Sequence, residues 1–439
     1  MTTLSHLLAL AALRPGDIPA VARQMARFSL YDWMVCGLAG VEEPLARILR
    51  DVVGAEGGHP VASVFGGNAV PARAAALVNG ATSHALDYDD THFAHVGHPS
   101  VGIYPAALAV AEALDAPAAA VADAFLLGAE ASVRLGLRLG AVHYNRGFHQ
   151  TATAGAFGAT LAAGWLQGLS ADQMRVALGL CATRASGLKS QFGTMGKPYN
   201  AGIAASNGVE CAALARAGFT APDDGIDGPQ GFVPTHSDAP TGAGIWDQPP
   251  PGRFLFCNVK YKLHACCHGT HAMIEALARL KHDHGLNADQ VAEVHLRTSP
   301  RWLSVCDIKT PRSGLEVKFS YGWLAGMVLQ GIPTASDRAY TDALAGDAAL
   351  ADFARKVGVT GDAAVTDMQA EGQVILTDGR RLPLQHDLDA PIPAERLQAS
   401  LRAKAAGLIG AARAEALWQA VAGLDELSAR DLGAMLRGA

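Results

Sequence analysis

The sequence is poor in charge and in aromatic side chains: of its 439 residues, 17% are Asp, Glu, Lys or Arg and 6% are Phe, Trp or Tyr. It has no long basic run, and a formal net charge of −6 offers no footprint for a phosphate backbone, which argues against a nucleic-acid partner. It has no CxxC pair. The seven cysteines (Cys36, Cys181, Cys211, Cys257, Cys266, Cys267 and Cys306) are scattered and odd in number, as in reduced cytosolic proteins. Only Cys266 and Cys267 are close in sequence, too few suitably spaced thiolates for an iron–sulfur cluster. The N-terminal MTTLSHLLALAALRPGD has an apolar stretch but neither a basic n-region nor a small-residue cleavage site. It reads as a helix, and the expected compartment is the cytoplasm. No fixed-period repeat and no low-complexity tract interrupts the chain.

What is present is apolar bulk. Half of the residues are hydrophobic, the composition of a well-buried globular chain, and the length predicts two domains. The stretch from Gly147 to Ser170 contains no Asp, Glu, Lys or Arg and is long enough to span a bilayer. It is rich in Ala, Gly and Thr, with His149, Gln150 and Gln167 inside it, so its mean hydropathy is too low for insertion. A helix packed on all sides is expected, with no membrane partner. Close-packed Ala/Gly helices also suit a large subunit interface, and a homodimer is the expected assembly.

Up to about residue 219 the pattern is helical, with helices expected near 72–87, 100–114, 118–140, 151–167, 171–186 and 201–217. Pro, Gly and Asp cluster between Ala221 and Arg253, a domain boundary. Beyond it, helices near 268–283 and 315–330 alternate with strand-like segments. These are Val291–Arg297 and a hairpin over Gln373–His386 that turns on Asp378-Gly379. The fold class is therefore mainly α: a large all-α domain over 1–250 and 395–439, and a smaller α+β domain over 251–394.

Four clusters carry polar chemistry. The first is His84-Ala-Leu-Asp87-Tyr-Asp89-Asp90-Thr91-His92, followed by His95 and His98. If helix continues through it, His84, Asp87 and Thr91 share a face at i, i+3 and i+7; the bland alternative is a solvated helix end. The second is a shared position: His98, His149 and Lys197 each stand immediately before an expected helix. Helix N-termini bind carboxylates and disfavour imidazolium, so a histidine there stays neutral and available as a base. Each such site alone is weak evidence, but three together favour an anion site. The third, Lys260 to His271, invites zinc, as does the His92, His95, His98 series. Its Cys/His spacing fits no structural zinc pattern, and no metal is expected. The fourth, Gly314 to Trp323, opens a helix with Tyr321 in its first two turns; an amphipathic helix with Tyr321 in the core explains it equally well.

The segments HALDYDDTH with GHPS, GFHQT, GTMGKPYNAG, KLHACCHGTH and LEVKFSY occur here in the order typical of the MmgE/PrpD family, which the chain resembles over nearly its whole length. That family includes 2-methylcitrate dehydratases, cis-aconitate decarboxylases and iminodisuccinate epimerases. The resemblance implies a helical domain containing both chain ends, a smaller α+β lid, an active site between them, and no cofactor. It implies catalytic roles for Asp87, His98, His149, Lys197 and Tyr321, and substrate-binding roles for Thr91, Tyr144, Lys262 and His264. Tyr144 resembles a tyrosine of the epimerase branch. Cys267 stands where decarboxylase-like members carry a histidine, and the sequence after Lys262 departs from the dehydratase-like members. The expected activity is elimination of water from a small hydroxy di- or tricarboxylic acid. Epimerisation, decarboxylation and plain carboxylate binding follow in that order.

Overall fold

The computed structural model describes residues 2–242 and 244–437. The chain divides into two compact units, Met1–Tyr261 with Ile409–Ala439, and Lys262–Leu408. Helix dominates both, and a smaller sheet lies in the second, so the protein is mainly α with a smaller α+β unit.

The helical unit is built around Gln150–Leu166, whose residues from Gln150 to Gly164 are all buried. This helix has no apolar stripe, because it is covered on every side. It packs against Ala118–Arg146, Pro99–Leu114 and Gly196–Arg216, and Ala72–Ser83 packs against the last two. Small residues let these backbones touch. A Cβ on Gly158 would lie 2.5 Å from the carbonyl oxygen of Gly128, and one on Gly80 would lie 2.8 Å from Gly202 Cα. No helix among the described residues is long and apolar enough to cross a membrane.

Two local features depart from the expected all-helical pattern. Strands β1 (Ala62–Val64) and β2 (Gly67–Val70) form a small antiparallel hairpin turning through Gly66, whose φ of +65° suits glycine. Helix Ala72–Ser83 ends earlier than 87, with His84 as its C-cap. The Pro/Gly-rich run does not separate the units, since it is tied to the helical one. Buried Arg134 donates to the carbonyls of Ile245, Gln248 and Arg253, and buried Glu130 accepts from the amides of Leu255 (3.0 Å) and Phe256 (2.8 Å). The compact division accordingly falls after Tyr261 rather than after residue 250.

The second unit carries a four-stranded sheet of order β4-β3-β5-β6, formed by β3 (Val291–Thr298), β4 (Val357–Gly361), β5 (Gln369–Leu376) and β6 (Arg381–Asp387). The expected hairpin is β5–β6, with Gly379 at φ +87° in its turn. Strand β4 pairs parallel to β3 and is only five residues long, with the two valines Val357 and Val359 as its whole alternating pattern. Helix His271–His284 packs on β5 and β6. Helix Ala394–Ile409 falls almost wholly within this unit, so the chain re-enters the helical unit at Ile409 rather than at 395.

Candidate functional site

Three helix N-termini in the helical unit carry the basic residues expected there. His98 is the N-cap of Pro99–Leu114 and His149 that of Gln150–Leu166, while Lys197 sits in the first turn of Gly196–Arg216. The His98 amide donates to Thr151 Oγ1 (3.0 Å), which fastens the first two caps together. The His149 amide donates to Gly187 O (3.0 Å), and Lys189 N donates to Gly147 O (2.8 Å). The segment leading to Lys197 is thereby held against the second cap.

The 84–92 segment approaches these caps as a loop. Continuous helix would place Asp89 and Asp90 on neighbouring faces, whereas here the two carboxylates serve separate sets of partners. Asp89 receives His84 Nδ1 and His98 Nδ1, each at 2.8 Å. Asp90 receives Ser29 Oγ (3.0 Å), Ser100 N (3.1 Å) and Ser100 Oγ (2.6 Å). Asp87 takes a left-handed conformation, φ +52°, which Asp tolerates better than most residues. The shared helical face of His84, Asp87 and Thr91 therefore does not form. Asp87 instead reaches Lys197 Nζ at 2.7 Å, and His98 Nε2 lies 3.6 Å from the same oxygen.

Asp87, His98, His149 and Lys197 are thus brought into one cluster, with His84 as a further member. The His84 ring lies 4.5 Å from that of His98 and 6.3 Å from that of His149, centroid to centroid. His84 Nε2 is buried without a hydrogen-bond partner. Thr91 forms a two-way backbone bridge with Lys260. Tyr144 lies under the ammonium of Lys189, 3.7 Å from ring centroid to nitrogen. In the second unit Lys262 is buried, and Tyr321 donates from its buried hydroxyl to Gly269 O (2.9 Å). Tyr321 is the first residue of its own helix, Tyr321–Gln330, because Ser320 caps a fresh start after the single turn Gly314–Val317. His264 has both ring nitrogens engaged, with Thr334 Oγ1 (2.8 Å) and Glu275 Oε1 (3.1 Å).

The electrostatics favour neutral imidazoles. Burial pushes His98 down to about 4 although the Asp89 carboxylate pulls the other way. Burial first, with the neighbouring His84 ring and the Lys197 ammonium, holds His149 well below its ordinary value. Burial acts to raise Asp89, yet His84 and His98 together hold it well below the usual carboxylate range. At neutral pH the pattern is an ionised Asp89 accepting an Nδ1–H from each ring. Burial likewise pushes the Tyr321 hydroxyl up, so it keeps its proton.

Among the described residues, one group could hold a metal ion: His84, Asp87, Asp89 and His98, with ligand atoms within 4.8 Å of one another. It is not the 264–271 run. Ligands at the ~2.0–2.1 Å zinc distance sit roughly 3.4 Å apart on a tetrahedron. The 2.8 Å separations from Asp89 to both Nδ1 atoms are hydrogen-bond lengths, and the ammonium of Lys197 already lies against Asp87. The group is organised around protons.

Sequence reasoning missed three supports: Asp89, the Thr151 clasp on His98, and Asn200, whose Nδ2 lies 3.2 Å from His149 Nδ1. All three lie inside the motifs, but residue type and spacing do not say which polar neighbour faces which ring. The seven cysteines are all free.

Fold and site together define a mainly α protein whose helix N-termini gather histidines and a lysine around carboxylates. The MmgE/PrpD N-terminal domain model matches residues 9–242 and the C-terminal domain model matches 264–426. The chain belongs to the MmgE/PrpD family. Its relatives include the cis-aconitate decarboxylase-like protein oryM of Aspergillus oryzae, 31% identical over 62% of this chain and 60% of that protein. The cis-aconitate decarboxylase of Aspergillus terreus is 28% identical over 67% and 64%, and that of Homo sapiens 29% identical over 52% and 49%. The matches span less than two thirds of these relatives' own lengths.

Proposed function

We propose that the protein is a cofactor-independent lyase that eliminates water from a small hydroxy di- or tricarboxylic acid. The observation that carries this is the pairing of two neutral imidazoles, His98 and His149, with the Lys197 ammonium at three adjoining helix N-termini. A proton beside a carboxylate becomes acidic only when the developing enediolate charge is stabilised, and fixed N–H groups and a lysine supply that field. A neutral histidine then takes the proton, and loss of hydroxide as water leaves an unsaturated acid. Asp87, through its ion pair with Lys197, orients the ammonium. Thr91, Tyr144 and Lys262 are proposed to bind substrate, and Tyr321 to serve as a protonated donor once its hydroxyl turns away from Gly269 O. His264 would have to release Thr334 or Glu275 to do the same. A cytoplasmic homodimer is the proposed working form.

Decarboxylation is the second reading, favoured by the names of the relatives; epimerisation is the third. Incubation with a panel of di- and tricarboxylates in deuterium oxide separates them. Dehydration builds up an unsaturated acid absorbing in the near ultraviolet and labels recovered substrate through the reverse reaction. Decarboxylation releases carbon dioxide and puts deuterium where the carboxylate stood. Epimerisation deuterates nearly every product molecule. No exchange and no turnover with any carboxylate that measurably binds would leave a binding protein.

A further inference from the structure

His98 and His149 look interchangeable as acid–base groups, yet their Nδ1 atoms face opposite chemistry. On His98, Nδ1 lies 2.8 Å from Asp89 Oδ2, and an ionised carboxylate only accepts. That nitrogen therefore carries the hydrogen, and Nε2 of the neutral ring is a lone pair. Asp89 makes the same bond to His84, so each of its two oxygens is committed to an imidazole.

On His149, Nδ1 faces the amide nitrogen of Asn200 at 3.2 Å. The same Nδ2 lies 3.3 Å from the carbonyl oxygen of Leu188. A carbonyl can only accept, so a turned amide would set oxygen against oxygen; the network fixes the nitrogen there. Its two hydrogens go to Leu188 O and to His149 Nδ1, which must then be the acceptor. The single N–H of the neutral His149 ring sits on Nε2.

We propose that Asp89 and Asn200 act as opposed positioning residues, making His98 a base at Nε2 and His149 a fixed N–H donor at Nε2. The assignment of reaction roles rests on the lyase function proposed above. The tautomers themselves do not. A neutral imidazole that gave up its N–H would become an imidazolate, so His149 serves as a hydrogen-bond donor to the developing enediolate and keeps its proton. In the proposed elimination the C–H bond breaks, its electron pair enters the enediolate and the proton goes to His98 Nε2. The C–O bond then breaks, the same proton passes from His98 to the departing hydroxyl, and water leaves with His98 neutral again. One histidine thus handles the proton in both half-steps while the other holds the charge between them.

Neutron diffraction from deuterium-exchanged crystals of the intact protein at neutral pD tests the tautomers directly. Deuterons are expected on Nδ1 of His98 and on Nε2 of His149. A deuteron on Nε2 of His98 or on Nδ1 of His149 overturns the proposal. Kinetics test the roles through Asn200→Asp, a near-isosteric change that turns the partner of His149 Nδ1 from donor to acceptor and moves its N–H away from Nε2. Asn200→Ala only removes the partner. Asn200→Asp is expected to lower kcat by at least about 10²-fold with KM within about 3-fold, and Asn200→Ala to lose about 10-fold. A loss in Asn200→Ala equal to or larger than in Asn200→Asp would reduce Asn200 to a packing residue and overturn the role. If wild-type protein turns over no carboxylate, the lyase function fails while the neutron map still decides the tautomers.

Discussion

The two units each hold a dense group of histidines, and within them His98 and His149 differ from His264 in hydrogen-bond state. In the helical unit His98 and His149 stand at helix N-termini, with one nitrogen of each fixed by a protein partner. In the second unit His264 has both nitrogens taken, by Thr334 and Glu275. A histidine held on one side is oriented and still able to react; one held on both sides is a structural crosslink. Density of histidine in the sequence does not distinguish these states, whereas hydrogen-bond accounting does.

The largest losses on substitution are expected in the helical unit. His149→Ala and Lys197→Ala should each lower kcat/KM by at least about 10²-fold with folding intact, the typical cost of removing one preorganised charge-stabilising group. Near-normal kinetics in both, with circular dichroism unchanged, would move the site elsewhere.

The second effect is on stability. His98 and His143 are pushed down to about 4 and His95 to about 3, in each case first by burial, and His149 is also held well below its ordinary value. The unfolded chain, with histidines near the 6.5 of free imidazole, binds more protons than the folded one below that pH. Stability is therefore full above about pH 6.5 and falls on acidification towards 4, by about 1.4 kcal/mol per pH unit for each such imidazole. Asp90, raised to about 7 by burial, binds its proton more readily when folded and offsets one of them. Thermal unfolding at pH 7.5, 6 and 5 should show a steep decline; a flat Tm would mean these rings are accessible to protons in the folded state.

A smaller effect is expected from the other side of the comparison. His264→Ala should cost about 1–3 kcal/mol of stability, since it leaves Thr334 and Glu275 without their partner, while kcat/KM stays within about 10-fold. A kinetic loss as large as that of His149→Ala would show that His264 gives up one of its bonds to bind substrate. The smallest effect should come from exhaustive chelation, which is expected to leave turnover unchanged. Stoichiometric metal whose removal abolishes activity would mean that His84, Asp89 and His98 hold an ion in place of shared protons.

Much of this was legible beforehand, for identifiable reasons. The helix-start logic at His98, His149 and Lys197 works because Pro99, Gly147 and Pro198 punctuate the chain there, and local punctuation is a local signal. The β5–β6 hairpin is equally local, resting on Asp378-Gly379. What escaped is tertiary. Nothing local ends the helix at Ser83; its end is set by Asp89 and Asp90 reaching partners as distant in sequence as Ser29 and Ser100. Strand β4 is recruited by β3 with little patterning of its own. Asn200 looks like any polar residue early in a helix until the ring it faces is known.

The glycine contacts between helices have a mechanical consequence. Gly128 meets Gly158, and Gly80 meets Gly202, backbone against backbone. At these two points the helices carrying His149 and Lys197 are therefore seated like machined parts without a gasket, since the atom nearest an added Cβ is a backbone oxygen. One added methyl group at Gly158 or Gly202, some distance along the helix from either cap, would act as a shim. It would displace a whole helix and with it the nitrogen at its tip. In this scaffold, tolerance to substitution is set by distance from a backbone seam as much as by distance from the chemistry.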